Sequence, residues 1–143
     1  MNAKKYLKSL KMIEVRINNL KWELCKLESR AESIAAGFSD FNVQSSASGE
    51  PSFVRLMPEI CDLKGEISKS IEELLFLRHR IIEKINRLDD PVRAQILFKR
   101  YVEYKEFDRI SDELCYSEQT VRNLHGYALS DFERLLTKES RKK

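Results

Sequence analysis

Three polar side chains that can form paired hydrogen bonds with base edges occur together in the segment RISDELCYSEQTVRNL, residues 109–124. Gln119 and Asn123 can each bond an adenine in two places, and Arg122 can bond a guanine in two places. They follow Ser117, a residue type that favours the N-cap position of a helix, and the N-terminus of a helix attracts phosphate. The segment is therefore a candidate for contacting nucleic-acid bases from the first turns of a helix.

Cationic side chains that precede this helix could hold the phosphate backbone. The candidate phosphate contacts are Lys99, Arg100, Lys105 and Arg109, together with the hydroxyl of Ser117. The whole chain has a net charge of +3, which permits a nucleic-acid partner without indicating one. Residues 89–143 contain eleven Lys and Arg and eleven Asp and Glu residues, so this part is neutral. Because nucleic-acid-binding domains usually have a basic face, we expect modest affinity or help from a partner.

The sequence contains no pattern that indicates catalysis or cofactor binding. His79 and His125 lack a Cys or Asp partner at useful spacing, so each is expected to be hydrogen-bonded or solvated, and no Gly-rich phosphate loop occurs. Cys25, Cys61 and Cys115 lie far apart, which favours neither a zinc site nor a disulfide framework. We therefore expect a non-enzyme with no catalytic residue, metal or cofactor, and with reduced thiols in the cytoplasm.

Two short helices are predicted to position the base-contacting side chains. The first contains Ile110 and Leu114, the second is capped by Ser117, and residues 115–117 form the turn between them. Two helices joined by about three residues form a helix-turn-helix. The alternative is a pair of packing helices whose outer face is merely polar. In either case we expect the apolar residues that the two helices share to be buried: Phe107, Ile110, Leu114, Val121, Leu124, Ala128 and Phe132.

One more short helix is predicted before the motif. Asp89 or Asp90 can cap it, and Pro91 suits its first helical position, where a backbone N–H is not needed. The last helix of the chain is expected to end near Thr137, and residues 139–143 are expected to fray.

Heptad stripes of apolar residues run along segments 6–34 and 60–88, with steps that alternate between four and three residues. Their matched lengths predict an all-α fold in which about residues 3–36 and 56–88 form a long antiparallel, coiled-coil-like hairpin, followed by three short helices. A parallel dimer through the first helix is the alternative that the sequence leaves open.

The connection between the two long helices, about residues 37–55, is rich in Ser, Gly and Pro and is long for a compact domain. We expect rapid amide exchange at residues 39–52, which have few apolar side chains. The predicted domains are a helical hairpin at 1–88 and a helix-turn-helix domain at 89–138. No apolar run is long enough to predict a signal peptide or a membrane span.

The segment ILFKRYVEYKEFDRISDELCYSEQTVRNLHGYAL resembles the fourth conserved region of bacterial sigma factors. In that region a helix ends in Arg-Tyr, an Ile-centred helix follows, and a Thr-Val-Arg helix comes after a turn and a Ser. The matching positions here are Arg100-Tyr101, Ile110, Leu114, Ser117, Thr120-Val121-Arg122, His125 and Ala128-Leu129. Cys115 stands where sigma factors usually have Gly.

The whole chain resembles small phage and prophage regulators of Gram-positive bacteria, the sigma-like transcriptional regulators of the ArpU and RinA kind. The shared features are a heptad first helix, a connection that contains VQSS, and the ending described above. The resemblance implies control of late-gene transcription, with double-stranded DNA as the partner. RNA polymerase and a second copy of the chain, bound through the N-terminal helices, are further candidate partners. An assembly protein such as a small terminase-like DNA-packaging subunit is the alternative.

Overall fold

A computed structural model describes residues 2–40 and 52–143, and the side chains at 2–36 and 54–143. Within these residues every regular element is a helix, which confirms the predicted all-α fold class. The elements are α1 (Ala3–Asp40), α2 (Ser52–Ile85), α3 (Pro91–Leu97), a π-helical segment (Phe98–Val102), α4 (Phe107–Leu114) and α5 (Glu118–Arg141). None of the helices described is both long enough and apolar enough to span a membrane.

The long helices have different ends from those predicted. α1 continues to Asp40, past Gly37, because a single glycine costs a helix only about 1 kcal/mol. α2 begins at Ser52 rather than near residue 56, and it ends at Ile85 rather than near residue 88. A turn at residues 86–87 follows it. The predicted connection is shortened at both ends. Its remaining residues, and with them most of the predicted exchange-labile segment, lie outside the described residues.

The chain divides into two compact units. Unit 1 consists of Met1–Ile13 and Leu74–Lys143. The first turns of α1 and the last turns of α2 share one core there with α3, the π-helical segment and α5. The buried apolar side chains of this core are Ala3, Leu7, Leu10, Ile81, Ile85, Leu97, Tyr101, Val102, Ala128, Phe132 and Leu136. The division therefore does not follow the predicted boundary between residues 88 and 89.

Unit 2, Glu14–Glu73, contains the remaining parts of α1 and α2. Among its described side chains, the buried apolar ones are Ile17, Ile60, Leu63 and Ile67. Lys64 Nζ of α2 lies 3.4 Å from Glu28 Oε1 of α1. In each unit α1 and α2 therefore pack against each other within one chain, as expected for the predicted antiparallel hairpin.

The C-terminal helix is longer than predicted. α5 runs to Arg141 instead of ending near Thr137, and the fraying of residues 139–143 stays a prediction. Glu139 provides the physical reason for the greater length, because its carboxylate pairs with Lys84 and accepts a hydrogen bond of 2.8 Å from Arg87 Nη1. The hydrogen bond from Lys84 also holds the pKa of Glu139 below its usual value. The last turns of α5 are therefore tied to the end of α2.

The short helix before the motif is capped as predicted. Asp90 Oδ1 accepts hydrogen bonds from Val92 N at 2.9 Å and from Arg93 N at 3.2 Å, and Pro91 occupies the first turn. The π-helical segment continues α3 without a break and places Tyr101 in the core. Local capping thus determines where α3 begins, whereas the core of unit 1 determines which side of the π-helical segment is buried.

Candidate nucleic-acid interface

A three-residue turn joins α4 to α5, as the sequence predicted. Cys115 has the left-handed conformation, with φ 60° and ψ 35°, and its backbone N–H donates to Ser111 O. The N–H of Tyr116 donates to the same oxygen at 3.1 Å. Glycine favours this conformation because it has no Cβ. The geometry therefore explains why a glycine would suit position 115, where this chain has a cysteine.

Ser117 is the N-cap of α5. Its Oγ accepts a hydrogen bond from the Thr120 N–H at 3.1 Å and lies 2.7 Å from Thr120 Oγ1. Glu118 adds a negative charge to the first turn, where the helix dipole stabilises it. The predicted cap is confirmed. Because the Ser117 hydroxyl is already engaged, its predicted phosphate contact stays a prediction that requires a second hydrogen bond at the same oxygen.

The three predicted base-contacting residues are exposed on the first two turns of α5. Gln119 Nε2 donates to Asn123 Oδ1 at 3.1 Å, and Arg122 Nη2 donates to Glu118 Oε1 at 2.9 Å. Both are pairs of residues four positions apart on one helix, which contribute little to stability at exposed positions. The structure therefore brings these side chains together, and their present hydrogen bonds can be exchanged at low cost.

Two predicted DNA-contacting arginines share one aromatic ring. The guanidinium carbons of Arg100 and Arg122 lie 4.4 Å and 4.7 Å from the centroid of the Phe107 ring. Arg100 Nη1 also donates to Lys105 O and to Glu106 Oε2, each at 3.0 Å. Sequence reasoning placed Phe107 in the core, where it is partly buried, but did not anticipate that its ring would orient two cations.

A buried polar pair involves the second turn of α5, on which predicted base-contacting residues also lie. Tyr101 Oη and His125 Nε2 are 2.8 Å apart, and the Phe107 ring meets the His125 ring edge-on with centroids 5.0 Å apart. Burial is the main cause that lowers the pKa of His125 to about 4, and the positive charges of Arg100, Lys4 and Arg122 lower it further. Burial also raises the pKa of Tyr101. His125 is therefore a neutral, hydrogen-bonded histidine at neutral pH, which was one of the two roles expected for it.

Three of the four predicted phosphate-contacting cations surround Glu113. Lys99 Nζ is 2.8 Å from Glu113 Oε2, Lys105 Nζ is 2.8 Å from Oε1, and Arg109 Nε is 3.5 Å from Oε1. Hydrogen bonds from Lys105 and then from Lys99 lower the pKa of the Glu113 carboxyl to about 2. The sequence did not identify this cluster, although the four-residue spacing of Arg109 and Glu113 is a signal that could have found one of its pairs.

The compact unit that contains the helix-turn-helix has a higher net charge than residues 89–143 alone. Residues 1–13 contribute +4 and residues 74–88 contribute +3 to unit 1, whereas residues 89–143 contribute 0. Unit 1 therefore carries +7, and unit 2 carries −4. The neutrality expected of the DNA-binding part came from counting only the residues after 88. The compact unit that contains the motif therefore has a net positive charge, which permits a nucleic-acid partner.

No family model, curated protein or solved structure matches this chain. The geometry of α4 and α5 and the charge of unit 1 are therefore the features that bear most directly on function.

Proposed function

We propose that the protein is a sequence-specific DNA-binding transcriptional regulator that inserts the start of α5 into the major groove of double-stranded DNA. The observation that supports this most directly is the division of α5 into two faces. Val121, His125 and Ala128 are buried, while Gln119 and Arg122 are exposed on the capped first turns. A recognition helix of a helix-turn-helix needs this combination of a packed face and polar residues at its N-terminus.

In the proposed complex, Arg122 donates to a guanine and Gln119 or Asn123 pairs with an adenine. The Phe107 ring restricts the Arg122 guanidinium, so less side-chain entropy is lost when it meets a base. Arg122 donates a hydrogen bond to Glu118 in the free protein. At least part of this interaction has to be lost when the guanidinium binds a base. This exchange costs little because the pair is exposed.

Phosphate binding requires a similar exchange around Glu113. Lys99 and Lys105 each give up part of their contact with this carboxylate to reach DNA. Arg109 is the most available of the three, because its side chain is 71% exposed and its distance to Glu113 is the longest. Phosphate contacts would fix the orientation of unit 1 on the duplex without selecting a sequence.

The resemblance to ArpU- and RinA-like regulators supports assigning the protein to late-gene control in a phage or prophage. RNA polymerase would then be the second partner, because a DNA-bound regulator of this kind acts on transcription at a promoter. Such a protein works in the bacterial cytoplasm, where its three exposed, free cysteines would stay reduced.

Selection of bound sequences from random double-stranded DNA tests the proposal directly. We expect enrichment of one short sequence, or of two copies at a fixed spacing if the chain binds as a dimer. The selection should use low salt, because phosphate contacts weaken as salt rises. Failure to enrich any sequence, together with binding to RNA polymerase or to a capsid component, would show that α4 and α5 form a protein-binding module.

A DNA-packaging subunit is the second candidate, and exposed apolar side chains favour it. Trp22 in unit 2 is 65% exposed, and Leu75 and Phe76 in unit 1 are 60% and 65% exposed. A contiguous exposed apolar patch is typical of a surface that binds another chain, and Leu75 and Phe76 are neighbours in the chain, whereas a single exposed residue such as Trp22 is weaker support. Light scattering distinguishes the two functions. A ring of many copies would favour packaging, and a monomer or dimer that protects a promoter would favour regulation.

A further inference from the structure

We infer that Lys4, Lys8 and Lys11 of α1 form an additional phosphate-binding row for the DNA that the helix-turn-helix contacts. This inference rests on the proposed function and extends the interface to the first helix of the chain, which does not belong to the motif. The ligand is the phosphate backbone, so the row would add affinity but no sequence preference.

The three lysines occupy one side of α1, next to its buried face. Ala3, Leu7 and Leu10 are at most 1% exposed and pack in the core of unit 1. Each lysine directly follows one of these residues, and the spacing of four and three residues places all three on one stripe of the helix. All three are exposed. The packing of the apolar face therefore fixes the direction in which the lysine row faces.

The core of unit 1 places this row beside the predicted DNA contacts. Tyr101 and Val102, which pack in the same core as Leu7 and Leu10, directly follow Arg100 in the chain. At one end of the row, Lys11 Nζ lies 5.5 Å from the centroid of the Tyr104 ring, and Tyr104 is followed by Lys105.

The other end of the row is close to α5, because Ala3 and Leu7, on either side of Lys4, pack in the same core as Ala128. The positive charge of Lys4 acts on His125, as do the charges of Arg100 and Arg122. The positive charges of these three residues, which belong to α1, the π-helical segment and α5, therefore all disfavour protonation of one buried imidazole. Two of them are residues already predicted to contact DNA, so Lys4 belongs to the same electropositive region.

The lysine row is also less neutralised than the cations of the motif. Lys99, Lys105 and Arg109 share Glu113, whereas none of the ion pairs found among residues 2–36 and 54–143 involves Lys4, Lys8 or Lys11. Residues 1–13 contain four lysines and no acidic residue. A phosphate that binds this row therefore does not have to displace a carboxylate.

The length of the row suits a DNA strand. Seven residues of helix rise about 10 Å from Lys4 to Lys11. Phosphates follow one another every 3.4 Å along the axis of one strand, so the row spans about three nucleotides. Each lysine that neutralises a phosphate releases condensed counterions and contributes about 0.9 to the slope of log affinity against log salt concentration.

The test compares two triple variants of the full chain that have the same net charge. Lys4→Gln, Lys8→Gln and Lys11→Gln remove the row, and Lys21→Gln, Lys26→Gln and Lys69→Gln remove three exposed lysines of unit 2. DNA binding is measured over a range of salt concentrations. We expect the first variant to flatten the log–log slope by about 2 to 3 units for every sequence, and the second to retain the slope of the parent. The triple Lys→Arg variant at positions 4, 8 and 11 should bind like the parent.

Equal slopes for the two triple variants would overturn the inference while leaving the proposed function intact, provided that loss of Arg122 still relaxes sequence preference. A parent chain that binds no DNA at low salt would overturn both. Circular dichroism checks that the first triple variant is folded. If it is not, the single variant Lys8→Gln replaces it, with an expected flattening of about 0.9 units; an unchanged slope in that variant would also overturn the inference.

Discussion

At the residue scale, Arg122 and Arg109 differ in what holds them, and we expect their loss to have different effects. Arg122 is positioned by Glu118 and by the Phe107 ring, whereas Arg109 is largely exposed. Arg122→Ala should cost about 1 to 3 kcal/mol at the preferred site and relax the preference at one base pair. Arg109→Ala should weaken binding to all sequences and flatten the salt dependence by about 0.9 log–log units. Binding to a set of single-base site variants separates the two results. Uniform weakening by Arg122→Ala would make this residue a phosphate contact instead.

In the proposed complex Glu113 would compete with DNA phosphate for the cations of the motif, so we expect its loss to strengthen binding. In Glu113→Gln, Lys99 and Arg109 keep a polar neighbour but lose the carboxylate with which they pair, whereas Lys105 loses one of two, because it also pairs with Glu103. We expect tighter binding to every sequence and a steeper salt dependence than in the parent. Glu133→Gln on α5 makes the same change in net charge at another exposed position and serves as the control. If both variants gain equally, net charge and not the Glu113 cluster explains the gain.

His125 should make stability depend on pH in a window above the range in which carboxylates titrate. Its pKa is about 4 in the folded protein, below the ordinary value of 6.5, so the unfolded chain binds the proton more readily between these values. The contribution of neutral His125 to the free energy of unfolding should therefore be fully present above about pH 6.5 and decrease as the pH falls towards 4. Urea denaturation at pH 7.5, 6 and 5 measures this. His125→Gln should remove the dependence between pH 6.5 and 5, and His79→Gln at an exposed position should retain it.

At the scale of elements, the turn between α4 and α5 contains a residue that is not suited to its conformation. A non-glycine residue in the left-handed region costs on the order of 1 kcal/mol, and Cys115 has φ 60° there. Cys115→Gly should therefore raise the free energy of unfolding by about 0.5 to 1 kcal/mol and leave DNA preference unchanged. Cys25→Gly, at an exposed position inside α1, should lower it by about 1 kcal/mol, because glycine there has only its helix-breaking effect. Denaturant titration of both variants checks the signs, and a loss of stability in Cys115→Gly would contradict this account of the turn.

At the scale of the whole molecule, the helix-turn-helix depends on residues far away in the chain. Leu7 and Leu10 of α1 and Ile81 and Ile85 of α2 pack in the same core as Phe132 of α5. A fragment of residues 89–143 would expose Phe132 and its neighbours to water, at a cost of about 25 cal/mol for each Å² of apolar surface. We expect this fragment to lose cooperative thermal unfolding. A fragment of residues 74–143 should recover part of it, because it regains two of the four residues. A cooperative transition in the shorter fragment at the temperature of the full chain would show that residues 89–143 form an independent domain.

The sequence by itself determined the features that depend on near neighbours in the chain. Apolar periodicity indicated the two long helices, and the cap residues Asp90 and Ser117 marked the starts of α3 and α5 correctly. These signals act over three to seven residues, which is the range of a hydrogen-bonded cap or of one heptad. The exposure of Gln119, Arg122 and Asn123 followed from the same local pattern. Their contact with bases stays a prediction.

Only the tertiary structure decided which distant residues meet. The pairing of Tyr101 with His125, the convergence of Lys99 and Lys105 on Glu113, and the basic character of unit 1 had no signal in local spacing. The first and the third arise because α1, α2, the π-helical segment and α5 bury their apolar faces in one core, whereas the Glu113 cluster follows from a second core that Ile96, Ile110 and Val121 form. The length of α5 also depends on distant residues, since Glu139 is held by Lys84 at the end of α2 and by Arg87 just after it, both more than fifty positions earlier. Residues close in sequence determine where a helix begins and ends. The burial of apolar surface determines which distant residues a side chain contacts.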